Sequence, residues 1–487
     1  MSSKDLFPLP FPRIIPMTSL SGTRKILTMN YERRNRTSIV CSACNTDSIV
    51  LSDRHMKRFF QNQPPGRLIT MGFFFVILCG TFLLLLPISI QPGAEVSFTD
   101  ALFTSTSAVC VTGLIVVDTA EHFTVFGRTV VALLIQIGGL GVTSVGVGLM
   151  LAAGKRVSIK GRLLIKEALN VDNYKGIIRL IKAVLFMTFF FELLGMLLSF
   201  PVFRKDYPFW DALGISAFHS VAAFNNSGFD ILGGLQNLIP YSSSLLLNLT
   251  TCGLIFFGGI GFLVILDVLK CRFSFRKLSL HSKVVLSTSA FLILAGTLLL
   301  KATEDITWLG AFFHSMSART AGFSTYSLGG FTNAGLFVLC ILMFIGASPG
   351  STGGGIKTST FFALFQSMRS ALNKRHFGAF HRSISGETIS KAYLITFLSL
   401  SVVCAGTFAL CILEPDLSMM QILFEIVSAF GTVGLSTGIT PDLSTASKLV
   451  ITLIMFIGRL GALTIVTMWI NRPEQGARYT EESITIG

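Results

Sequence analysis

Four stretches of this chain, at about residues 68–90, 176–203, 282–301 and 389–413, are long and almost wholly apolar. Roughly twenty such residues in a helix match the hydrocarbon thickness of a bilayer. The bilayer interior has no water to satisfy backbone N–H and C=O groups, so such runs must be helical. Four further apolar runs, richer in glycine, lie at about 125–153, 243–269, 334–371 and 447–470. The composition agrees with a chain buried in lipid. Of 487 residues, 51% are hydrophobic and only 13% charged, with 44 Phe, whereas soluble domains carry about a quarter charged residues. The fold class expected is an all-α polytopic membrane protein.

The net charge of +14 could suggest a nucleic-acid partner, but its distribution argues against one. Basic residues gather in 1–67, 155–182 (KRVSIKGRLLIK, then RLIK), 270–283 (KCRFSFRKLSLHSK) and 369–391. The alternate connections carry acids instead: QPGAEVSFTD, VDTAEHF, KATEDITW and ILEPDL. That alternation follows the positive-inside rule. It places both termini in the cytoplasm and requires an even number of spans. Residues 1–66 are polar, basic and broken by Pro, with no apolar core of a secretory signal. They are expected to form a disordered cytoplasmic tail, as 472–487 form a short C-terminal one. Cys41 and Cys44 make a C-x-x-C, but no second pair or His cluster completes a zinc site. The nine cysteines are read as ordinary reduced thiols.

Between the long runs a shorter, semi-polar stretch recurs. The sequences are TSTSAVCVTGL ending at Leu114, HSVAAFNNSGF ending at Phe229, HSMSARTAGF ending at Phe323 and EIVSAFGTVGL ending at Leu435. Each holds small residues and Ser, then a pair, then Gly113, Gly228, Gly322 or Gly434, then Leu or Phe. The run that follows also repeats, as QIGGLG, FGGIG, FIGASP and FIGRLG. Two features in one order, four times, point to an internal repeat. Each unit reads as helix, short re-entrant helix, Gly-bearing loop, helix. The units are 67–154, 155–270, 271–371 and 372–471, giving eight spans and four re-entrant pore helices with pseudo-fourfold symmetry around one pore.

The re-entrant stretches are too short to span. Non-helical backbone at membrane depth is tolerated only where it is buried in protein or lines a water-filled cavity. Four such loops around an axis would form a ring of main-chain carbonyls, which is how a filter replaces the water shell of a monovalent cation. Glycine suits this because it accepts positive φ without a Cβ in the way. Close-packing contacts between helices could account for Gly138, Gly141, Gly258 and Gly261, but poorly for the four glycines in semi-polar hairpins.

The segment GASPGSTGGGIKTST, residues 346–360, superficially resembles a phosphate-binding loop. Ile356 separates Gly355 from Lys357, so the G-x-x-x-x-G-K-[ST] spacing fails, and its flanks are apolar. Pro349 removes an amide donor, and five glycines between 346 and 355 weaken helix continuity. Ser351, Thr352 and Lys357 would be costly facing lipid. A loop lining the cavity satisfies these constraints. Arg459 takes the slot held by Gly139, Gly259 and Ala347 in the other units; inside a span it is expected to face a cavity and donate to carbonyls of the loop. Arg319, before the third filter segment, could anchor its pore helix through carbonyls, pair with Glu425 or Asp230, or act as a structural residue at the outer mouth; these stay open.

Together these motifs resemble the Trk/Ktr/HKT superfamily of potassium and sodium transporters, most closely its bacterial Ktr-type membrane subunit, over about residues 67–471. The matching residues are Val111-Thr112-Gly113-Leu114, Asn226-Ser227-Gly228-Phe229, Thr320-Ala321-Gly322-Phe323, Thr432-Val433-Gly434-Leu435, the segment from Ser348 to Thr358, and Phe456 to Leu460. The resemblance implies four membrane–pore–membrane units in one chain and potassium uptake through a filter at the first three residues of each quartet. It implies an intramembrane gate at 346–358, with Gly350, Ser351, Thr352, Gly353, Gly354, Gly355, Lys357 and Arg459 as gate residues. It further implies a homodimer, a cytoplasmic nucleotide-binding regulatory subunit of the RCK type, residence in the cell inner membrane, and sodium as an activating or coupled ion. No covalent cofactor and no enzymatic activity are implied.

In plant relatives Ser at the first filter glycine accompanies sodium preference; all four positions are Gly here, which favours potassium. A sodium-selective transporter of the same superfamily remains the alternative. A cation-coupled secondary transporter fits less well, because its repeats would be inverted and these are parallel. Glu192 and Asp267 are poor relay candidates, one isolated and one near a basic end. An intramembrane hydrolase is disfavoured: His219-Ser220 and His314-Ser315 are adjacent on a helix and diverge.

Overall fold

Ser97, Thr307 and Ser418 each stand at the start of a short helix, and each side chain accepts a backbone N–H from that helix's first turn. Such caps satisfy amides that have no intrahelical partner. At Ser97–Asp100 and Ser418–Gln421 the capping box is complete. These caps begin three of the four short helices that the repeat predicts. In the computed structural model the described residues are 63, 65–152, 161, 176–373 and 378–469. The two tails, the Cys41/Cys44 pair and most of the basic stretch 155–175 lie outside the described residues.

The first unit holds α1 (Pro65–Leu84), the short α2 (Phe98–Cys110), and α3 (Val125–Leu140) followed by α4 (Val142–Ala152). The second holds α5 (Ile177–Phe203), short α6 (Phe209–Phe224), α7 (Leu245–Gly259) and α8 (Phe262–Lys270). The third holds α9 (Leu280–Thr303), short α10 (Trp308–Ser317), α11 (Asn333–Phe344) and α12 (Thr358–Leu372). A two-stranded hairpin, β1 (Gly378–Ala379) and β2 (Arg382–Ser383), precedes the fourth. That unit holds α13 (Gly386–Leu413), short α14 (Met419–Gly431), α15 (Thr445–Leu460) and α16 (Ala462–Trp469).

Among the described residues, four helices are long and apolar enough to cross a membrane: α1, α5, α9 and α13. They open the four units. Their outer faces carry exposed Phe75, Phe82, Phe186, Phe189, Phe291, Phe397 and Phe408. The interior is more polar: Thr104, Ser105, Thr106, Ser107, Ser220, Ser315, Ser317 and Ser428 are all buried. Apolar residues outside and hydroxyls inside are what a hydrocarbon solvent around a polar axis requires. The chain is a multi-pass membrane protein.

Three of the long helices receive a serine from the neighbouring short helix in the same way. Ser105, Ser220 and Ser315 donate to the carbonyls of Ile77, Glu192 and Ile293, at 2.7, 2.5 and 2.8 Å. Three residues further along each long helix stands a glycine: Gly80, Gly195 and Gly296. A Cβ there would collide with that serine and with Leu134, Leu254 or Leu342. Gly406 plays the corresponding part in α13, against Ile426 and Ile454. These glycines let short and long helices touch, as small residues do between membrane helices.

Two expectations about helix extent need correction. The first span was expected to reach residue 90, but α1 ends at Leu84 and a 3-10 turn at Pro87–Ser89 follows; Pro87 cannot donate to a continuing helix. The second helices were expected to be unbroken except in the third unit. Instead α3 and α4 meet at 98°, and α7 and α8 at 93°. Gly141, Gly261 and Gly461, at φ 82°, 95° and 86°, hold the breaks in units one, two and four. Positive φ takes a residue out of the right-handed helix, and glycine accepts it without strain.

Candidate functional site

Each short helix ends in a backbone turn that L-residues rarely adopt. Val111, Asn226, Thr320 and Thr432 have φ of 57°, 61°, 73° and 49°. Two residues later Gly113, Gly228, Gly322 and Gly434 have φ of 91°, 68°, 78° and 92°. Three of the first four are β-branched, for which a left-handed conformation is costly. The glycines alone were expected at positive φ; the strained residues before them were not foreseen. Side chains and backbone over-determine the turn. Thr112, Ser227 and Val433 amides donate back to Ser107, Ala222 and Ser428 carbonyls at 2.8 to 2.9 Å, and Ala321 donates to Ser317 at 2.8 Å. Ser107 and Ser428 accept from the amides of Gly113 and Gly434, both at 3.0 Å. Ser317 donates to the Phe323 carbonyl.

The four glycines stand beside one another in a closed ring. A Cβ on Gly113 would come within 3.0 Å of the Ser227 carbonyl oxygen; on Gly228, of the Ala321 oxygen; on Gly322, of the Val433 oxygen; on Gly434, of the Thr112 oxygen. The order runs from the first unit through the fourth and back to the first. The carbonyl oxygens of Thr112, Ser227, Ala321 and Val433 thus fill the gaps between successive glycine Cα atoms. Val111, Thr112, Asn226, Ser227, Thr320, Ala321, Thr432 and Val433 are all fully buried. A salt bridge between Lys448 and Asp100, at 3.2 Å, also ties the fourth unit to the first.

Behind the ring, Glu425 is buried and accepts three bonds, from Ser436, from the Thr437 amide at 3.2 Å and from Thr440 at 3.1 Å. His314 meets the Gly310 carbonyl at 2.9 Å and Ser324 at 3.2 Å. His219 meets Thr251 at 2.9 Å, and its ring lies edge-on to Phe323.

The segment between α11 and α12 is non-helical over residues 345–357. It is pinned to the second unit. The Ser348 and Thr352 amides donate to the carbonyls of Gly259 and Gly258 at 3.0 and 3.2 Å, and the Phe262 amide donates to Gly350 at 3.1 Å. The breaks in the second helices supply those free carbonyls and amides. The loop also lies directly against the ring residues. A Cβ on Gly353 would collide with the Thr320 hydroxyl, and one on Gly354 with that of Thr432. Gly355, at φ 66°, faces Gly431. Lys357 turns back on its own loop and donates to the Gly353 carbonyl at 2.7 Å. Ser351 donates to the Ser348 carbonyl at 2.6 Å.

Arg459 leaves the end of α15 and donates through Nη1 to the Thr352 carbonyl. Its Nη2 donates to the carbonyl of Gly138, with Gly139 at 3.4 Å. One guanidinium therefore spans from the fourth unit to the loop of the third and to the broken helix of the first. Arginine's planar fork can reach two carbonyl directions at once.

Among the described residues Arg319 pairs with neither Glu425 nor Asp230 and donates to no pore-loop carbonyl. Its Nη2 donates to Ser289 at 3.2 Å, its Nε has no partner among the described residues, and it lines a small cavity with Ile255, Gly259 and Met316. It is 8% exposed. Glu425 is engaged as above, and Asp230 accepts from the Leu232 amide at 3.1 Å. The turn after α10 sends the side chain between the second and third units, toward Ser289. Among the described residues no group of three or more His, Cys, Asp or Glu could hold a metal ion.

Three comparisons bear on this geometry. The TrkH family model, described as a cation transport protein, matches residues 34–308 and 278–479. The chain is 39% identical over 445 residues to the Ktr system potassium uptake protein B of Bacillus subtilis, covering 87% of this chain and 97% of that one. It is 38% identical over 449 residues to the potassium/sodium uptake protein NtpJ of Enterococcus hirae, covering 88% and 99%. The crystal structure of the potassium transporter TrkH from Vibrio parahaemolyticus shares the fold, with a TM-score of 0.63 at 19% identity over 82% of this chain and 86% of that one. The four-unit ring, the broken helices and these matches agree, and the chain belongs to the TrkH family of cation transport proteins.

Proposed function

We propose that this protein takes up potassium across the cell membrane through a filter made by Val111–Gly113, Asn226–Gly228, Thr320–Gly322 and Thr432–Gly434. The closed ring, in which each glycine abuts the preceding carbonyl of the next unit, carries this reading. A dehydrated alkali cation needs several oxygens at once, and main-chain carbonyls supply them without a charge that would trap it. The buried hydroxyls and capped carbonyls behind the ring hold those oxygens in place, so binding does not require the protein to reorganise.

In this reading the residue 346–358 loop is the gate. It lies under Thr320 and Thr432, and Arg459 holds it while placing a positive charge below the filter. Release of Arg459 from the Thr352 carbonyl would free the loop to withdraw. The four units contribute eight spans, with both termini cytoplasmic and the chain in the inner membrane. A homodimer and a cytoplasmic nucleotide-binding regulatory subunit complete the proposal, the subunit docking on the basic loops. Sodium selectivity is the second reading, favoured by the potassium/sodium name of the Enterococcus hirae relative.

The test is rescue of potassium-limited growth in cells lacking uptake systems, with Gly434→Asp as the control. Growth restored by the parent and lost in the variant supports the proposal. Sodium flux without potassium flux would move the assignment to the sodium branch.

A further inference from the structure

Glu192 is an acid on a lipid-facing helix. Its neighbours on α5, Phe189, Phe190, Leu193 and Leu194, are exposed. A carboxyl at such a position is expensive and calls for a partner inside the protein. The structure supplies one. Asn225, fully buried at the end of α6 and immediately before filter residue Asn226, directs its Nδ2 at Glu192 Oε1 at 3.1 Å. The same nitrogen reaches Gln136 Oε1 at 2.9 Å and the Val221 carbonyl at 2.9 Å. Three acceptors from three helices converge on one amide with two hydrogens.

Gln136 belongs to the last turn of α3, the turn that breaks at Gly141. The other side of Asn225 presses on the same turn: a Cβ on Gly139 would collide with Asn225 Oδ1. The carbonyls of Gly138 and Gly139 are the ones that receive Arg459. A continuous chain of contacts therefore runs from Glu192 through Asn225 and Gln136 to the α3 turn, then through Arg459 to Thr352 in the loop.

We infer that Glu192 is a positioning residue for the gate. Its carboxylate fixes Asn225, which with Gln136 sets the α3 turn so that two carbonyls face Arg459. Without that acceptor the Asn225 amide and the turn are free to move, and the Arg459 fork keeps its bond to the Thr352 carbonyl but loses the α3 anchor that holds the guanidinium in place. Glu192 needs only to accept, so a glutamine oxygen serves in its place. The inference rests on the gate reading above.

The experiment measures resting Rb+ flux in proteoliposomes for the parent, Glu192→Ala, Glu192→Gln, Arg459→Ala and the Glu192→Ala/Arg459→Ala double variant. Arg459→Ala should raise resting flux about tenfold or more, and Glu192→Ala about threefold or more. Glu192→Gln should stay within about twofold of the parent, and the double variant within about twofold of Arg459→Ala, because both changes release one latch. A multiplicative double variant overturns the inference, as does leak from Glu192→Gln equal to that of Glu192→Ala. So does an unchanged Glu192→Ala beside a leaky Arg459→Ala. If Arg459→Ala itself does not leak, the gate reading has failed first. Should Glu192→Ala not accumulate, Gln136→Leu removes the other side-chain acceptor and is read by the same criteria.

Discussion

Gly434 and Gly113, from opposite ends of the chain, are neighbours: a methyl group on Gly434 would stand 2.9 Å from the Gly113 Cα. The fourth unit thereby closes on the first. Both glycines also sit at φ near 90°, so a side chain there is opposed twice, by backbone strain and by the adjoining carbonyl. Left-handed strain alone costs about 1–2 kcal/mol, and overpacking adds about 1–3 kcal/mol. Gly434→Ala is expected to cut potassium uptake about tenfold or more in protein that still reaches the membrane. Uptake at the parental level, measured at equal expression, would show that the ring does not line the ion path.

Gly322→Ser places its side chain toward the Val433 carbonyl. The ring is distorted between the third and fourth units rather than removed. The expected outcome is weakened discrimination against sodium, read as a lower ratio of Rb+ to Na+ flux. An unchanged ratio would place selectivity elsewhere.

Arg459→Gln removes the charge and the fork that joins Thr352 to Gly138. Hydrogen bonds from charged groups contribute about 1.5–3 kcal/mol each, and every 1.4 kcal/mol is about tenfold in an equilibrium. Resting flux should rise about tenfold to a hundredfold. Arg459→Lys should restore only part of the control, because an ammonium cannot present two planar donors in the same directions. Full restoration by lysine would mean that charge alone holds the loop.

Deleting 348–355 removes the segment pinned to Gly258 and Gly259 and lying against Thr320 and Thr432. Large flux with little control is expected in vesicles. Flux that stays low would contradict the gating role. A smaller change, Gly353→Ala, drives a methyl into the Thr320 hydroxyl and should act in the same direction with a smaller effect.

Ser315→Ala removes the bond from α10 to the Ile293 carbonyl. The net contribution of such a bond is about 1 kcal/mol, so a small drop in thermal midpoint is expected, with ion selectivity unchanged. The corresponding position in the fourth unit is Ile426, which manages without a hydroxyl. A loss of selectivity in Ser315→Ala would show that the bond tunes the filter.

Much of this site was legible because it depends on local chemistry. A glycine in a semi-polar hairpin, repeated four times, has few uses, and the Pro349 and glycine-rich stretch cannot continue a membrane helix. The bends at Gly141, Gly261 and Gly461 were missed although the G-x-x-G spacing was noted. An isolated apolar segment with glycine runs on as a helix, and only contacts such as Ser348 and Thr352 against Gly259 and Gly258 require it to break. The long-helix glycines, Gly80, Gly195, Gly296 and Gly406, gave no signal because glycine is common in membrane helices. Glu192 looked isolated since its partners, Asn225 and Gln136, come from two other helices. The partner of Arg319 stayed open for the same reason, since Ser289 comes from another helix.

The central claim concerns where the ion sits, and a heavy potassium substitute reports that directly. Crystals of the purified protein grown in Rb+ should show anomalous density on the axis of the ring, among the carbonyl oxygens of Thr112, Ser227, Ala321 and Val433. Density confined to another part of the molecule, with that axis empty at saturating Rb+, would contradict the account.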